Sequence, residues 1–256
     1  MDKRNTPIVI LCGGRGLILD QSGQRRLKCL TPIFEGQPLI SFIILSYLQH
    51  GFTKFILASG YQHSELKNFF EMYANWNGKN QARAVLFGRE FSLSVVYTGI
   101  DTTTGDRVEK IKGSLNNVPI FGLTYSDTLS EIDLSEEFEF HKSHGRIGTL
   151  AGARMPTRFR ILGIRSGEQI VRGFASTPVI QNDLINGGFY FLNSSIFDAE
   201  YLNGEPSIVF EEAVLEKLAY NSQLIAYPLP THVRWHDLDS ERSLDSLLSL
   251  AKILKG

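Results

Sequence analysis

The residues best placed to do chemistry follow the apolar run Ile8-Val9-Ile10-Leu11, where the chain reads Gly13-Gly14-Arg15-Gly16. A short β-branched run is a buried-strand signal. Glycines straight after such a strand let the backbone turn tightly and bring amide N–H groups up to a phosphate, whose oxygens accept their bonds. Any tight strand-to-helix turn could use the same residues, so the loop alone leaves both readings open. Other chemistries find no support. There is no Ser-His-Asp ordering with a nucleophile elbow, and no Cys/His cluster at zinc spacing. Gly14-Arg15-Gly16-Leu17-Ile18-Leu19 breaks the dinucleotide-binding pattern at its final glycine.

A phosphate loop needs a sheet to present it. At 256 residues the chain is long enough for one large α/β domain, and strand and helix signals alternate along it. Pro38 can open a helix through Ile40, Ile43, Ile44 and Leu48 that stops near Gly51, and Lys54 to Ala58 reads as the next strand. Leu66, Phe69, Phe70 and Tyr73 share one helical face. Ser92 to Tyr97, Ile120 to Thr124 and Ile147 to Ala153 read as strands, Ser135 to His144 as a helix. Phe210, Val214 and Leu218 mark another helix, and Leu244, Leu247, Leu248 and Leu254 the last. The polar, glycine-punctuated stretch Asn75 to Phe91 is expected to be an exposed excursion. Composition is that of a soluble globule, 43% hydrophobic and 21% charged with a net charge of −1, which argues against nucleic acid or an anionic membrane as main partner. Two cysteines, Cys12 and Cys29, make no disulfide framework, and the apolar stretch ending at Cys12 is too short for a signal peptide or membrane span. A cytoplasmic protein is expected.

Five segments, in order from residue 8 to residue 242, then resemble one family. They are the Gly13-Gly14-Arg15-Gly16 loop, Lys28 in Lys28-Cys29-Leu30-Thr31-Pro32-Ile33, and Tyr97-Thr98-Gly99 followed by Thr104-Gly105-Asp106-Arg107. Tyr125-Ser126-Asp127 is next, and the distal match joins Ile185-Asn186-Gly187-Gly188-Phe189 to Trp235 through Asp239 and Arg242. Together they resemble the sugar-1-phosphate nucleotidyltransferases, most of all the cytidylyltransferases among them. The resemblance implies an α/β, Rossmann-like nucleotidyltransferase fold: a single domain over 1–256 with a mainly parallel, mixed sheet flanked by helices. A small accessory sugar-binding region would occupy roughly 157–192. It also implies the reaction, in which a sugar-1-phosphate oxygen attacks the α-phosphorus of a nucleoside triphosphate and expels pyrophosphate. CTP and a hexose phosphate are the first substrates to expect.

By the same resemblance, Mg²⁺ would be held by Asp127 and Asp239, hard oxygen ligands suited to it. Lys28 and Arg15 would act on the phosphates, with Asp127, as the catalytic set. Gly13, Gly14, Arg15, Gly16, Thr104 and Gly105 would bind the nucleotide, and Asn186, Gly187 and Arg160 the sugar. Each has a plainer alternative: a solvated Arg15, an Asp239 capping the last helix, a turn capped by Asp106, a bulge at Asn186. His236 reads as structural or solvated. Family members commonly assemble, and Met72-Tyr73 to Trp76 could give a homo-oligomer its apolar contact. The chain departs from the family pattern at Ile18, which replaces the loop arginine, at Thr177, which replaces the sugar-phosphate lysine, and at Ser126 and Thr128, which replace glycines around the metal aspartate. Each lost charge-assisted phosphate contact costs on the order of 2–4 kcal/mol. A binding protein that has lost turnover is therefore the rival expectation.

Overall fold

A computed structural model describes residues 2–256 except 16, 20–24, 79, 155–160, 165–170, 176–183, 203, 205, 206 and 240–242, with the backbone alone at 17–19, 25, 26, 161–164 and 171–175. In chain order the main elements are β1 (Pro7–Cys12), α1 (Leu39–Gln49), β2 (Lys54–Ser59), α2 (His63–Glu71), β3 (Ala74–Trp76), β4 (Gln81–Leu86), β5 (Arg89–Tyr97) and α3 (Thr104–Lys110). There follow β6 (Ile120–Tyr125), β7 (Thr128–Ser130), α4 (Leu134–His144), β8 (Gly148–Ala153) and β9 (Ile185–Asn193). A π-helical turn, Phe210–Leu215, runs into α5 (Glu216–Tyr220), and β10 (Leu224–Pro228), β11 (Trp235–Asp237) and α6 (Ser243–Lys255) complete the chain.

Nine strands make one mixed sheet in the order β10-β8-β9-β6-β1-β2-β5-β4-β3. Its centre, β6-β1-β2-β5, is parallel, so these four strands end on one edge, with Cys12 level with Ser59 and Ser59 with Tyr97. Antiparallel strands flank this centre: β9 joins β6 and β8 on one side, and β4 joins β5 on the other. Both faces are covered, which explains why β1 is apolar throughout rather than alternating. Ile8 and Ile10 enter one core cluster with Phe42, Phe52, Phe138 and Leu247, while Val9 and Leu11 enter the opposite one with Val108, Phe121, Phe210 and Leu218.

The stretch expected to be an exposed excursion is instead the ladder β3-β4-β5 at the sheet's edge. Its signal was alternation: Ala82, Ala84 and Leu86 face the core while Gln81, Arg83 and Val85 face out, a period-two pattern that small residues made faint. A separate two-stranded ladder pairs β7 with β11. Among the described residues no helix is long and apolar enough to cross a membrane.

Candidate active site

The glycine loop leaves the carboxyl end of β1 at the middle of the parallel edge, where helix and loop termini converge. Its geometry is fixed from below by Arg107. Arg107 is 3% exposed. Its Nη2 donates to the Gly13 carbonyl at 2.7 Å and the Thr102 carbonyl at 3.0 Å, and its Nη1 donates to Thr98 Oγ1 at 2.8 Å. A Cβ on Gly13 would lie 1.6 Å from Nη1, so a side chain there would displace the guanidinium. Burial lowers the Arg107 pKa, the cost of keeping a charge out of water, and nearby Cys12 and Asp106 partly restore it.

Arg107 is carried by α3, whose first turn is closed by a capping box between Thr103 and Asp106. Asp106 also accepts from the Ile208 amide at 3.2 Å, so the cap alternative raised for this residue is the geometry found. Gly105 lies against Ile208, donating to its carbonyl at 2.9 Å, and a Cβ there would meet Ile208 at 2.6 Å. Thr104 Oγ1 donates to Glu211 Oε2 at 2.8 Å and accepts from the Phe210 amide at 2.9 Å.

A cleft of about 340 Å³ opens above the loop, lined by Gly13, Gly14, Lys28, Thr104, Arg107 and Asp127 among others. Lys28 starts a short 3₁₀ turn, Lys28–Leu30, and its Nζ stands 3.3 Å from Asp127 Oδ2. Both are half-buried, so a cation and a carboxylate meet in the lining of the cleft from segments 99 residues apart. The free thiols of Cys12 and Cys29 line the same cleft, and burial pushes Cys12 well above the usual thiol range.

Asp127 follows β6 after Ser126, and its backbone carbonyl accepts from the Leu238 amide at 2.7 Å. With the β7–β11 ladder setting Thr128 opposite Asp237, this bond brings the Asp127 and Asp239 segments side by side. Asp239 is exposed, and His236 stands opposite Leu129 in the ladder with its pKa lowered by burial. Among the described residues no three His, Cys, Asp or Glu side chains are grouped to hold a metal ion.

Beside this, β9 begins with Ile185-Asn186-Gly187-Gly188. Gly187 accepts from Trp235 Nε1 at 2.7 Å, which ties the strand to β11. Gly188 has φ +76°, and a Cβ there would lie 2.7 Å from Tyr125 Cδ2. Asn186 is exposed opposite an irregularity in the β8 pairing. Its Oδ1 accepts from the Gly188 amide at 2.9 Å and from the Tyr190 hydroxyl at 2.8 Å.

The fold thus gathers Gly13, Gly14, Lys28, Thr104 and Asp127 into one cleft, brings the segment of Asp239 alongside, and sets Asn186 and Gly187 on the neighbouring strand. Arg15 is not among the cleft's lining. It pairs with Asp101 in an exposed contact, its guanidinium 5.8 Å from the Tyr61 ring centre, an arrangement matching the solvated alternative. Gly105 packs behind the cleft wall. Gly16, Arg160 and Thr177 lie outside the described residues, as does the side chain of Ile18. The sequence reading missed Arg107, Tyr125 and Glu211 as individual residues. The first two stood inside quoted segments, whereas Glu211 joins the group only through contacts with Thr104 and Tyr125.

Comparison with known proteins identifies the class. A family model described as "Nucleotidyl transferase" matches residues 8–249, and the chain belongs to that family of enzymes. Among its relatives, a glucose-1-phosphate cytidylyltransferase of Salmonella typhimurium is 30% identical over 242 residues, covering 91% of each chain. A D-glycero-alpha-D-manno-heptose 1-phosphate guanylyltransferase of Aneurinibacillus thermoaerophilus is 28% identical over 213 residues, covering 82% of this chain and 83% of that one. The crystal structure of HddC from Yersinia pseudotuberculosis shares the fold, with a TM-score of 0.66 at 18% identity over 95% of this chain and 98% of that one.

Proposed function

We propose that this protein transfers a nucleotidyl group from a nucleoside triphosphate, CTP first, to a sugar-1-phosphate, giving a nucleotide-diphospho-sugar and pyrophosphate. The observation that carries this reading is the Lys28–Asp127 pair in the lining of a cleft that also holds Gly13 and Gly14, at the carboxyl ends of parallel strands. The names of the relatives support the substrate classes, and the cytidylyltransferase supports CTP.

The chemistry needs alignment and charge neutralisation more than covalent help. Gly14 and its neighbours present backbone to a polyphosphate. The Lys28 ammonium is positioned to take a non-bridging phosphate oxygen, and the buried Arg107 adds positive potential beneath the same loop. An acceptor held from the Asn186 side meets the triphosphate from the strand next to β6, so that its phosphate oxygen attacks in line and pyrophosphate departs over the glycine loop. Asp127 and Asp239 would hold Mg²⁺. The fit rests on the donor set: two carboxylates from adjoining segments, beside a cleft whose ligand supplies further hard oxygens. Bound there, the ion would neutralise phosphate charge as a Lewis acid. The stretch 157–192 is proposed to form the sugar-facing part of a single domain, in a cytoplasmic and homo-oligomeric protein.

The test is pyrophosphate release with Mg²⁺, pairing each common nucleoside triphosphate with a panel of sugar-1-phosphates. Release that needs one sugar phosphate and is lost in Asp127→Asn supports the reading. Release that ignores the acceptor contradicts it.

A further inference from the structure

Glu211 is not in the lining of the cleft, yet two side chains that are, Thr104 and Tyr125, both end on its carboxylate. Thr104 Oγ1 donates to Oε2 at 2.8 Å, and the Tyr125 hydroxyl donates to Oε1. Each hydroxyl has one hydrogen, so neither keeps one for a ligand in the cleft. Burial, with Tyr190 and Glu211 facing it, raises the Tyr125 pKa, so the phenol retains the proton it donates. Glu211 is the second residue of the π-helical turn Phe210–Leu215, a kind of turn that recurs at functional sites.

The two bonds reach different parts of the site. Thr104 opens α3, the helix that carries Arg107 to the Gly13 carbonyl. Tyr125 closes β6, two residues before Asp127. The stretch from Ile208 to Glu211 is fastened to α3 several times over. The Ile208 carbonyl accepts from the Gly105 amide at 2.9 Å, and the Ile208 amide donates to Asp106 at 3.2 Å. The Phe210 amide donates to Thr104 Oγ1 at 2.9 Å. Among the described residues, only the Tyr125–Glu211 hydrogen bond runs from this stretch to β6.

We propose that Glu211 is a positioning residue that ties α3 to the end of β6 and so sets the gap between the glycine loop and Lys28–Asp127. This rests on the reading of the cleft as a nucleoside triphosphate site. A carboxylate suits the task because it is acceptor-only and offers an oxygen to each hydroxyl. Without it α3 keeps its other bonds to Ile208 and Phe210, whereas the end of β6 loses its tie to the helix. In-line transfer depends on alignment to within about 1 Å, so the effect falls on binding and turnover of the triphosphate.

The test is calorimetric titration of the common nucleoside triphosphates with Mg²⁺, with pyrophosphate release and thermal scans alongside. Glu211→Ala removes both acceptors, and Glu211→Asp keeps the charge on a side chain one methylene too short to span them. Both are expected to weaken triphosphate binding about five- to tenfold and to lower kcat about ten- to a hundredfold. Glu211→Gln keeps the length and one carbonyl oxygen, and is expected to recover most of both. Tyr125→Phe should be costly in the wild-type chain and add nothing in Glu211→Ala, because it acts through the same bond. Asp106→Ala is the structural control: it unties the same stretch from α3 and costs stability, yet triphosphate affinity should hold. Wild-type affinity and kcat in Glu211→Ala, an equal loss of affinity in Asp106→Ala, a full further cost of Tyr125→Phe in Glu211→Ala, or no triphosphate bound by the wild-type protein overturns the proposal. The expected binding pattern without pyrophosphate release upholds it and overturns the transferase reading. Release that is indifferent to Glu211→Ala and Glu211→Asp does the reverse.

Discussion

Lys28 and Arg107 show how differently two cations can serve one cleft. Lys28 is half-exposed with a single carboxylate partner 3.3 Å away, an arrangement that a phosphate can enter. Removing a charge-assisted contact of this kind in a water-poor site costs on the order of 2–4 kcal/mol. Lys28→Ala is therefore expected to lower kcat/KM about a hundredfold to a thousandfold with little change in melting temperature; steady-state kinetics and a thermal scan check both halves. Arg107 is the opposite case, closed in by two carbonyls and a hydroxyl within 3.0 Å. Arg107→Met would remove a donor from each, leaving the Gly13 carbonyl only the Tyr61 amide, at roughly 1 kcal/mol each. We expect its melting temperature to drop by roughly 5–15 °C, and calorimetry showing no drop would remove Arg107 from the loop's support.

At the scale of elements, α3 is a helix whose cap does the work that the sequence left undecided. Asp106 closes the first turn and also holds the Ile208 amide, so Asp106→Ala is expected to cost about 1 kcal/mol or somewhat more. Because the carboxylate is spent on backbone donors, the KM for nucleotide should barely move; a tenfold rise would restore a direct nucleotide role. How much could be read in advance varied with the kind of interaction. β1 and its loop were legible because an all-apolar run followed by glycines reflects local backbone needs. The β3–β4 ladder was not, because its inward residues include two alanines, and turn-like polarity outweighed a faint alternation. The nearness of Lys28 to Asp127 is a tertiary fact between residues 99 apart, visible beforehand only through family resemblance. Glu211 was invisible for the same reason, since its partners Thr104 and Tyr125 stand 107 and 86 residues away.

For the molecule as a whole, the site draws its rigidity from a sheet packed on both faces, and one buried carboxyl group within that packing sets a pH dependence. Glu137 on α4 is fully buried, and both its carboxylate oxygens lack a hydrogen-bond partner among the described residues. Burial raises its pKa from 4.5 to about 8. A raised folded-state value means that the neutral form is favoured by folding: this stability is fully present below about pH 4.5 and is lost as pH climbs through about 8. Glu137→Met, similar in volume, should therefore raise the melting temperature more at pH 8 than at pH 5, and an equal gain at both would show that the carboxyl stays ionised throughout. The central claim is that this packed frame holds a working transferase, and the most direct measurement is pyrophosphate release from CTP and glucose 1-phosphate with Mg²⁺, in wild-type protein and in Asp127→Asn. Release in the first that requires the sugar phosphate and vanishes in the second is the predicted result. Folded protein whose melting temperature rises with nucleotide, yet which releases no pyrophosphate with any triphosphate and sugar-1-phosphate, would contradict it.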